Sequence, residues 1–107
     1  MTLDEYQKKA LITLLDSADN IPYVTLGLAN EAGEVAGKVK KWIRDGNSDL
    51  SKLDKDALTD ELGDTLWYLA LLAQMLDIDL NSVAQGNLDK LASRAERNAL
   101  HGSGDNR

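Results

Sequence analysis

The chain contains no cysteine, which excludes a disulfide framework and any thiolate metal site. It is also short of positive charge, with 12 Lys and Arg against 18 Asp and Glu and a formal net charge of −6. Duplex nucleic acid, whose phosphates require a clustered basic face, is therefore excluded as a partner. An acidic protein can still hold a phosphate ligand, through a metal or a local basic cluster. Long apolar runs are missing too: the longest, Leu66 to Ala73, is far too short to span a bilayer. Met1-Thr2-Leu3-Asp4-Glu5 lacks the basic region and apolar core of a secretory signal. A cytoplasmic protein with no membrane partner is the expectation, and the absence of cysteine suits a reducing compartment.

What is present is helical periodicity. The 107 residues fit one domain, which can bury about 65% of its unfolded surface. Thr2 followed by Glu5 forms a capping-box pattern, and Leu3, Tyr6, Ala10, Leu11, Leu14 and Leu15 recur at helical spacing, so a first helix is predicted over residues 3 to 18. Asp19-Asn20 favours a turn, Pro22 suits the first turn of a second helix, and Gly46 stops that helix. Its apolar stripe is Leu28, Ala32, Val35, Val39 and Trp42, with Gly33 and Gly37 on the other side. Either another helix or a ligand approaches those glycines closely, or they are merely tolerated.

Asp54 can cap a third helix over residues 55 to 77, striped by Leu58, Leu62, Leu66, Leu69, Ala73 and Leu76, with Trp67 and Leu71 pointing away. A helix apolar on nearly all sides is buried on nearly all sides, which in so small a chain implies a symmetric subunit partner. Asp79 or Asn81 can cap a fourth helix reaching Ala99, with Leu80, Val83, Ala84, Leu88, Leu91 and Ala95 inward. Residues 1–100 are thus expected to form one all-α, four-helix-bundle-like subunit of a homo-oligomer, and 101–107 a flexible tail. His101 lies in that tail and is given no catalytic role.

Two acidic pairs fall inside apolar helical patterns: Glu31 and Glu34 on the second helix, Glu61 and Asp64 on the third. Spacing alone decides nothing, since Asp16 and Asp19 have the same separation. The setting distinguishes the first two pairs, which sit at the edge of a strong apolar stripe. At 100° per residue, Glu31 falls about 60° and Glu34 about 120° from the stripe centre, on the same side. If the two helices pack antiparallel, as a short connection favours, the four carboxylates converge on one rim. An oxygen-only cluster suits a hard cation such as Mg²⁺ or Mn²⁺, not zinc. Solvated acidic edges, with Glu34 and Lys38 as an ordinary i,i+4 pair, remain the alternative reading.

Glu31-Ala-Gly-Glu34 followed, after 26 intervening residues, by Glu61-Leu-Gly-Asp64 resembles the ExxE…ExxD signature of the MazG-like all-α nucleoside triphosphate pyrophosphohydrolases. The surrounding Leu28-Ala-Asn-Glu-Ala-Gly-Glu-Val35 and Asp60-Glu-Leu-Gly-Asp-Thr-Leu-Trp-Tyr68 extend the likeness, and Asn87, Lys90, Leu91 and Arg94 resemble the Asn-x-x-Lys-Leu-x-x-Arg element that follows. The resemblance implies hydrolysis of a nucleoside or deoxynucleoside triphosphate to the monophosphate and pyrophosphate, Mg²⁺ held by the four acidic positions, and a homodimer or homotetramer. Asn30 departs from the many relatives that carry another acidic residue there, which bears on the number of metal ions.

Within this resemblance Lys90 and Arg94 are candidates for holding triphosphate oxygens, with Asn87 beside them and Lys38 acting from the second helix. Asn87, Lys90, Arg94 and Arg97 lie within about 80° of one another on the fourth helix, which without the resemblance reads as a solvated basic stripe. Tyr68, sharing the rim of Glu61 and Asp64, is either a stacking platform for base or sugar or a half-buried core tyrosine. Trp42 and Trp67 are assigned to packing or the subunit interface. The base pocket is expected to draw on the first helix, including Gln7. Two other readings fit the residues: the related phosphoribosyl-ATP pyrophosphohydrolase activity, and a non-catalytic helical interaction module.

Overall fold

Capping chemistry sets most of the helix starts. In the computed structural model, which describes every residue except Asn106, Thr2 Oγ1 accepts from the Glu5 N–H at 3.1 Å and opens α1, Leu3–Ala10. Asn20 Oδ1 accepts from the Tyr23 N–H at 2.8 Å to open α2, Ile21–Gly46, with Pro22 in its first turn. Asp54 Oδ1 accepts from the Ala57 N–H at 3.0 Å to open α3, Lys55–Met75. The fourth helix, α4, spans Leu80–Glu96. Among the described residues there is no strand. The fold is all-α, as expected.

Two boundaries differ from the periodicity. The first helix stops at Ala10 rather than residue 18; two short 3₁₀ turns, Leu11–Thr13 and Asp16–Ala18, follow it, with Leu14 and Leu15 extended between them. The cause is tertiary. The Trp67 indole N–H donates to the Ala10 carbonyl and to Thr13 Oγ1, both at 3.2 Å, and so occupies a carbonyl that continued α-helix would need. The start of α4 differs as well. Neither Asp79 nor Asn81 caps it through a side chain; Gln7 Oε1 accepts from the Leu80 N–H at 2.8 Å and Asp4 Oδ1 from the Asn81 N–H at 2.9 Å. The first helix therefore caps the fourth, satisfying amides that every helix start leaves open.

At the end of α2 the left-handed residue is Asn47, with φ of 52°. Gly46 serves a different need: a Cβ there would approach the Trp42 ring to 3.1 Å.

The helices α2 and α3 form an antiparallel hairpin, shown by Lys38 meeting Glu61 nearer the connecting turn and Gly27 meeting Tyr68 toward the open end. Helix α1 lies across α3 and α4. The core of the chain is small. Ala10, Val24 and Leu71 form one buried cluster, joined by Trp67 and Tyr68, and Ala70, Ala73 and Leu80 form another.

Only part of the expected stripe of α3 is buried: Ala73, with Leu69 packed beside it. Trp67 and Leu71 face the chain's own core, while Leu62, Leu66 and Leu76 of the main leucine stripe are exposed. Val83, Leu88 and Leu91 of α4 are likewise exposed instead of inward. The Cα radius of gyration, 16.8 Å, exceeds the roughly 13 Å of a compact chain this long. The single chain leaves much of its apolar surface uncovered.

Candidate functional site

The antiparallel hairpin decides which acidic side chains meet. On α2, Gly27, Glu31 and Lys38 follow at steps of four and seven, one face of a helix, and that face meets α3. Opposite them, Glu61 and Asp64 project from adjacent turns of α3. Glu31, Glu61 and Asp64 each offer one carboxylate oxygen, and the three oxygens lie within 4.8 Å of one another. Glu31 and Glu61 are half-buried and Asp64 is exposed. Glu34, on an exposed part of α2, stands outside this triplet.

Like charges at such range must be relieved. Burial pushes the Glu31 carboxyl above its ordinary value, and the charges of Asp64 and Glu61 push it further. One positive group is at hand: Lys38 Nζ lies 3.3 Å from Glu61 Oε1. The donor set is oxygen only, without histidine or thiolate, and suits a hard divalent cation. The half-buried, mutually repelling carboxylates are the observation that fits such an ion, because an added positive charge removes both penalties at once.

Tyr68 lies beside the cluster, half-buried on α3. Burial raises its phenol, and Tyr23, Glu31 and Asp64 raise it further. Tyr6 from α1 is raised by burial and by Asp64. All three tyrosines of the chain thus border the acidic rim or each other. Tyr23 and Gly27 were not singled out from sequence; the signal available was their spacing of eight and four residues before Glu31.

The α4 residues fall elsewhere. Arg94 is 3% exposed, and its guanidinium donates to the Asp105 carbonyl at 2.9 Å and to Asp105 Oδ1 at 3.3 Å, leaving Nε buried with no partner among the described residues. Lys90 Nζ also pairs with Asp105, at 3.1 Å. Asn87 is exposed. Among the described residues, no ion pair joins Lys90 or Arg94 to the three carboxylates. Gln7, expected at a base pocket, is instead buried with its amide spent: Nε2 donates to the Ile78 carbonyl at 2.8 Å while Oε1 holds the start of α4. Gly33 and Gly37 face open space within the chain, so no close approach explains them there.

A cleft of about 260 Å³ opens beside Lys38, between the last turns of α2 and the first of α3, and Lys41, Trp42 and Lys52 line it. Trp42 is held there by its indole N–H, which donates to the Asp49 carbonyl at 2.7 Å.

An all-α hairpin presenting acidic pairs from two helices defines a class, and comparison with known families agrees: residues 22–98 match the MazG nucleotide pyrophosphohydrolase domain. The chain belongs to that family. Among curated proteins it is 46% identical to the Gene 37 protein of Mycobacterium phage L5 over the full length of both chains. It is 32% identical to the Uncharacterized protein YvdC of Bacillus subtilis (strain 168), over 70% of this chain and 76% of that one. No solved structure matches significantly. Among the described residues, no helix is long and apolar enough to cross a membrane.

Proposed function

We propose that this protein hydrolyses a nucleoside or deoxynucleoside triphosphate at the α-phosphorus, releasing the monophosphate and pyrophosphate, in the cytoplasm and in the service of nucleotide-pool control or house-cleaning. The observation that carries the reading is the approach of Glu31, Glu61 and Asp64 oxygens to within 4.8 Å inside a chain of this family. Those three residues would hold Mg²⁺, or Mn²⁺ in its place, with Glu34 completing the set from the exposed side. Such an ion would supply a water of lowered pKa and offset charge on the departing pyrophosphate.

The remaining tasks fall to the chain's own groups. A carboxylate free of coordination accepts the proton of the attacking water. Lys38, which now neutralises Glu61, turns to a phosphate oxygen once Glu61 is otherwise engaged. Tyr68 packs against the base or sugar. Lys90 and Arg94, with Asn87, hold phosphate oxygens beside the carboxylates of a neighbouring copy in a homodimer or homotetramer, exchanging their present partner Asp105 for the phosphate. The exposed leucines of α3 and the large radius of gyration support such an assembly.

The test is pyrophosphate release from a panel of ribo- and deoxynucleoside triphosphates, with Mg²⁺ and with chelator. Metal-dependent release matched mole for mole by monophosphate is expected. A folded protein silent across the panel would overturn the proposal.

A further inference from the structure

Gly27 sits one helical turn after Tyr23 and one before Glu31, so the three share a face of α2. That face meets Tyr68. A Cβ on Gly27 would fall well inside van der Waals distance of three Tyr68 ring carbons, Cδ1, Cε1 and Cζ. The phenol therefore lies directly on helix backbone, closer than any other residue type permits. On its core side it packs against the Ala10–Val24–Leu71 cluster and Trp67, whose ring meets it edge-on with centroids 5.0 Å apart and planes at 81°, and the half-buried ring keeps an outer edge open. Tyr68 follows Asp64 by one turn of α3 and Gly27 precedes Glu31 by one turn of α2, which sets the ring beside two of the three carboxylates.

Other glycines inside the helices lack this feature. Gly33, Gly37, Gly63 and Gly86 have no atom within 4 Å of an added Cβ. Glycine in a helix interior costs about 1 kcal/mol relative to alanine, and at Gly27 alone among these five an aromatic ring fills the vacancy.

We infer that Gly27 is a positioning residue for the reaction: its bare backbone seats the Tyr68 ring on the rim of the Glu31–Glu61–Asp64 cluster, where the ring packs on the nucleoside end of the substrate. The inference rests on the nucleotide reading of that cluster. A methyl group at position 27 collides with the Tyr68 ring, so the ring must swing toward its open outer edge, away from the seat it takes on α2. The consequence is weaker substrate binding with the chemical step preserved.

The experiment is a mutational cycle read as steady-state kinetics on the triphosphate that the wild-type protein turns over fastest, with Mg²⁺. Gly27→Ala is expected to raise KM about tenfold and leave kcat within about twofold, the size of one lost aromatic contact. The same change in a Tyr68→Phe background, which keeps the ring, should have the same effect. In a Tyr68→Ala background it should have none. An equal effect with and without the ring, or no effect in the wild-type background, would overturn the inference.

A second readout does not depend on turnover. In the metal-free protein the Tyr68 ring protons should show strong nuclear Overhauser contacts to the Gly27 α protons, and in Gly27→Ala the ring's contacts to the α2 backbone should weaken; unchanged contacts in the variant, or none in the wild type, would also overturn the seat. A protein that shows these contacts yet hydrolyses nothing would sink the nucleotide reading and leave the seat itself intact.

Discussion

Glu31 carries an energetic penalty that can be measured. Its carboxyl is raised above the ordinary value of 4.5 by burial first and by the neighbouring Asp64 and Glu61 charges second. For an acid, a raised folded value means that the folded state holds the proton more tightly than the unfolded chain. Stability is then lost as pH climbs from the ordinary value through the folded one, and the full loss persists above it. Glu31→Gln is expected to raise the melting temperature of the metal-free protein at pH 7 and to change it little at pH below the ordinary carboxylate value. Excess Mg²⁺ should reverse the order, stabilising wild type and not the variant; thermal melts at two pH values, with and without Mg²⁺, check all three. Glu34 makes a different case, since it is exposed and outside the triplet. Glu34→Gln is expected to abolish pyrophosphate release while leaving the circular-dichroism melt unchanged or slightly higher. An unfolded variant would make the Glu31–Glu34 pair structural.

At the scale of elements, the hinge of the fold is the grip of α1 on the start of α4. Gln7 satisfies the Ile78 carbonyl and the Leu80 N–H together, and without it the Leu80 N–H would be left buried and the half-covered Ile78 carbonyl would lose its partner. Gln7→Ala should cost about 2 kcal/mol in urea unfolding, within the range for orphaned buried polar groups. Because Gln7 points its amide at the α3–α4 connection and not at the carboxylates, KM for the triphosphate should hold. A raised KM with unchanged stability would restore the base-pocket role expected from sequence. The same scale explains which boundaries periodicity could foresee. Thr2, Asn20 and Asp54 cap helices through residues three positions away, so local sequence contains both partners. The end of α1 depends on Trp67 and the start of α4 on Asp4 and Gln7, partners more than fifty residues distant that no window along the chain includes.

At the scale of the molecule, the leucine stripe of α3 is the unresolved surface. Leu62 is 58% exposed and Leu26 is 72% exposed, in a chain whose fully buried large side chains are Leu71 and Val24. With so little of its own core, the fold we propose is completed by a second copy across this face. Sedimentation is expected to give a dimer or tetramer with a melting temperature that rises with protein concentration. Leu62→Glu should shift the protein toward monomer and reduce pyrophosphate release with it, since Lys90 and Arg94 would no longer reach a partner's carboxylates. A monomeric wild type of full activity would refute this completion of the site.

The sequence by itself determined the helices and most of their caps, because each rests on neighbours within one or two turns, and the acidic residues and the family likeness, because these are patterns of residue type and spacing along the chain. Tertiary structure decided the rest. It showed that Glu31, Glu61 and Asp64 converge while Glu34 stands apart, and that Trp67 and Leu71 join Leu69 and Ala73 in the chain's own core while Leu62, Leu66 and Leu76 stay exposed. It also placed Tyr68 on the bare backbone of Gly27. A helical period gives the angle at which a side chain leaves its own axis, but not the rotation at which two helices meet. That rotation is fixed by packing over the whole hairpin, and it selects which of two adjacent faces becomes core, site or open surface.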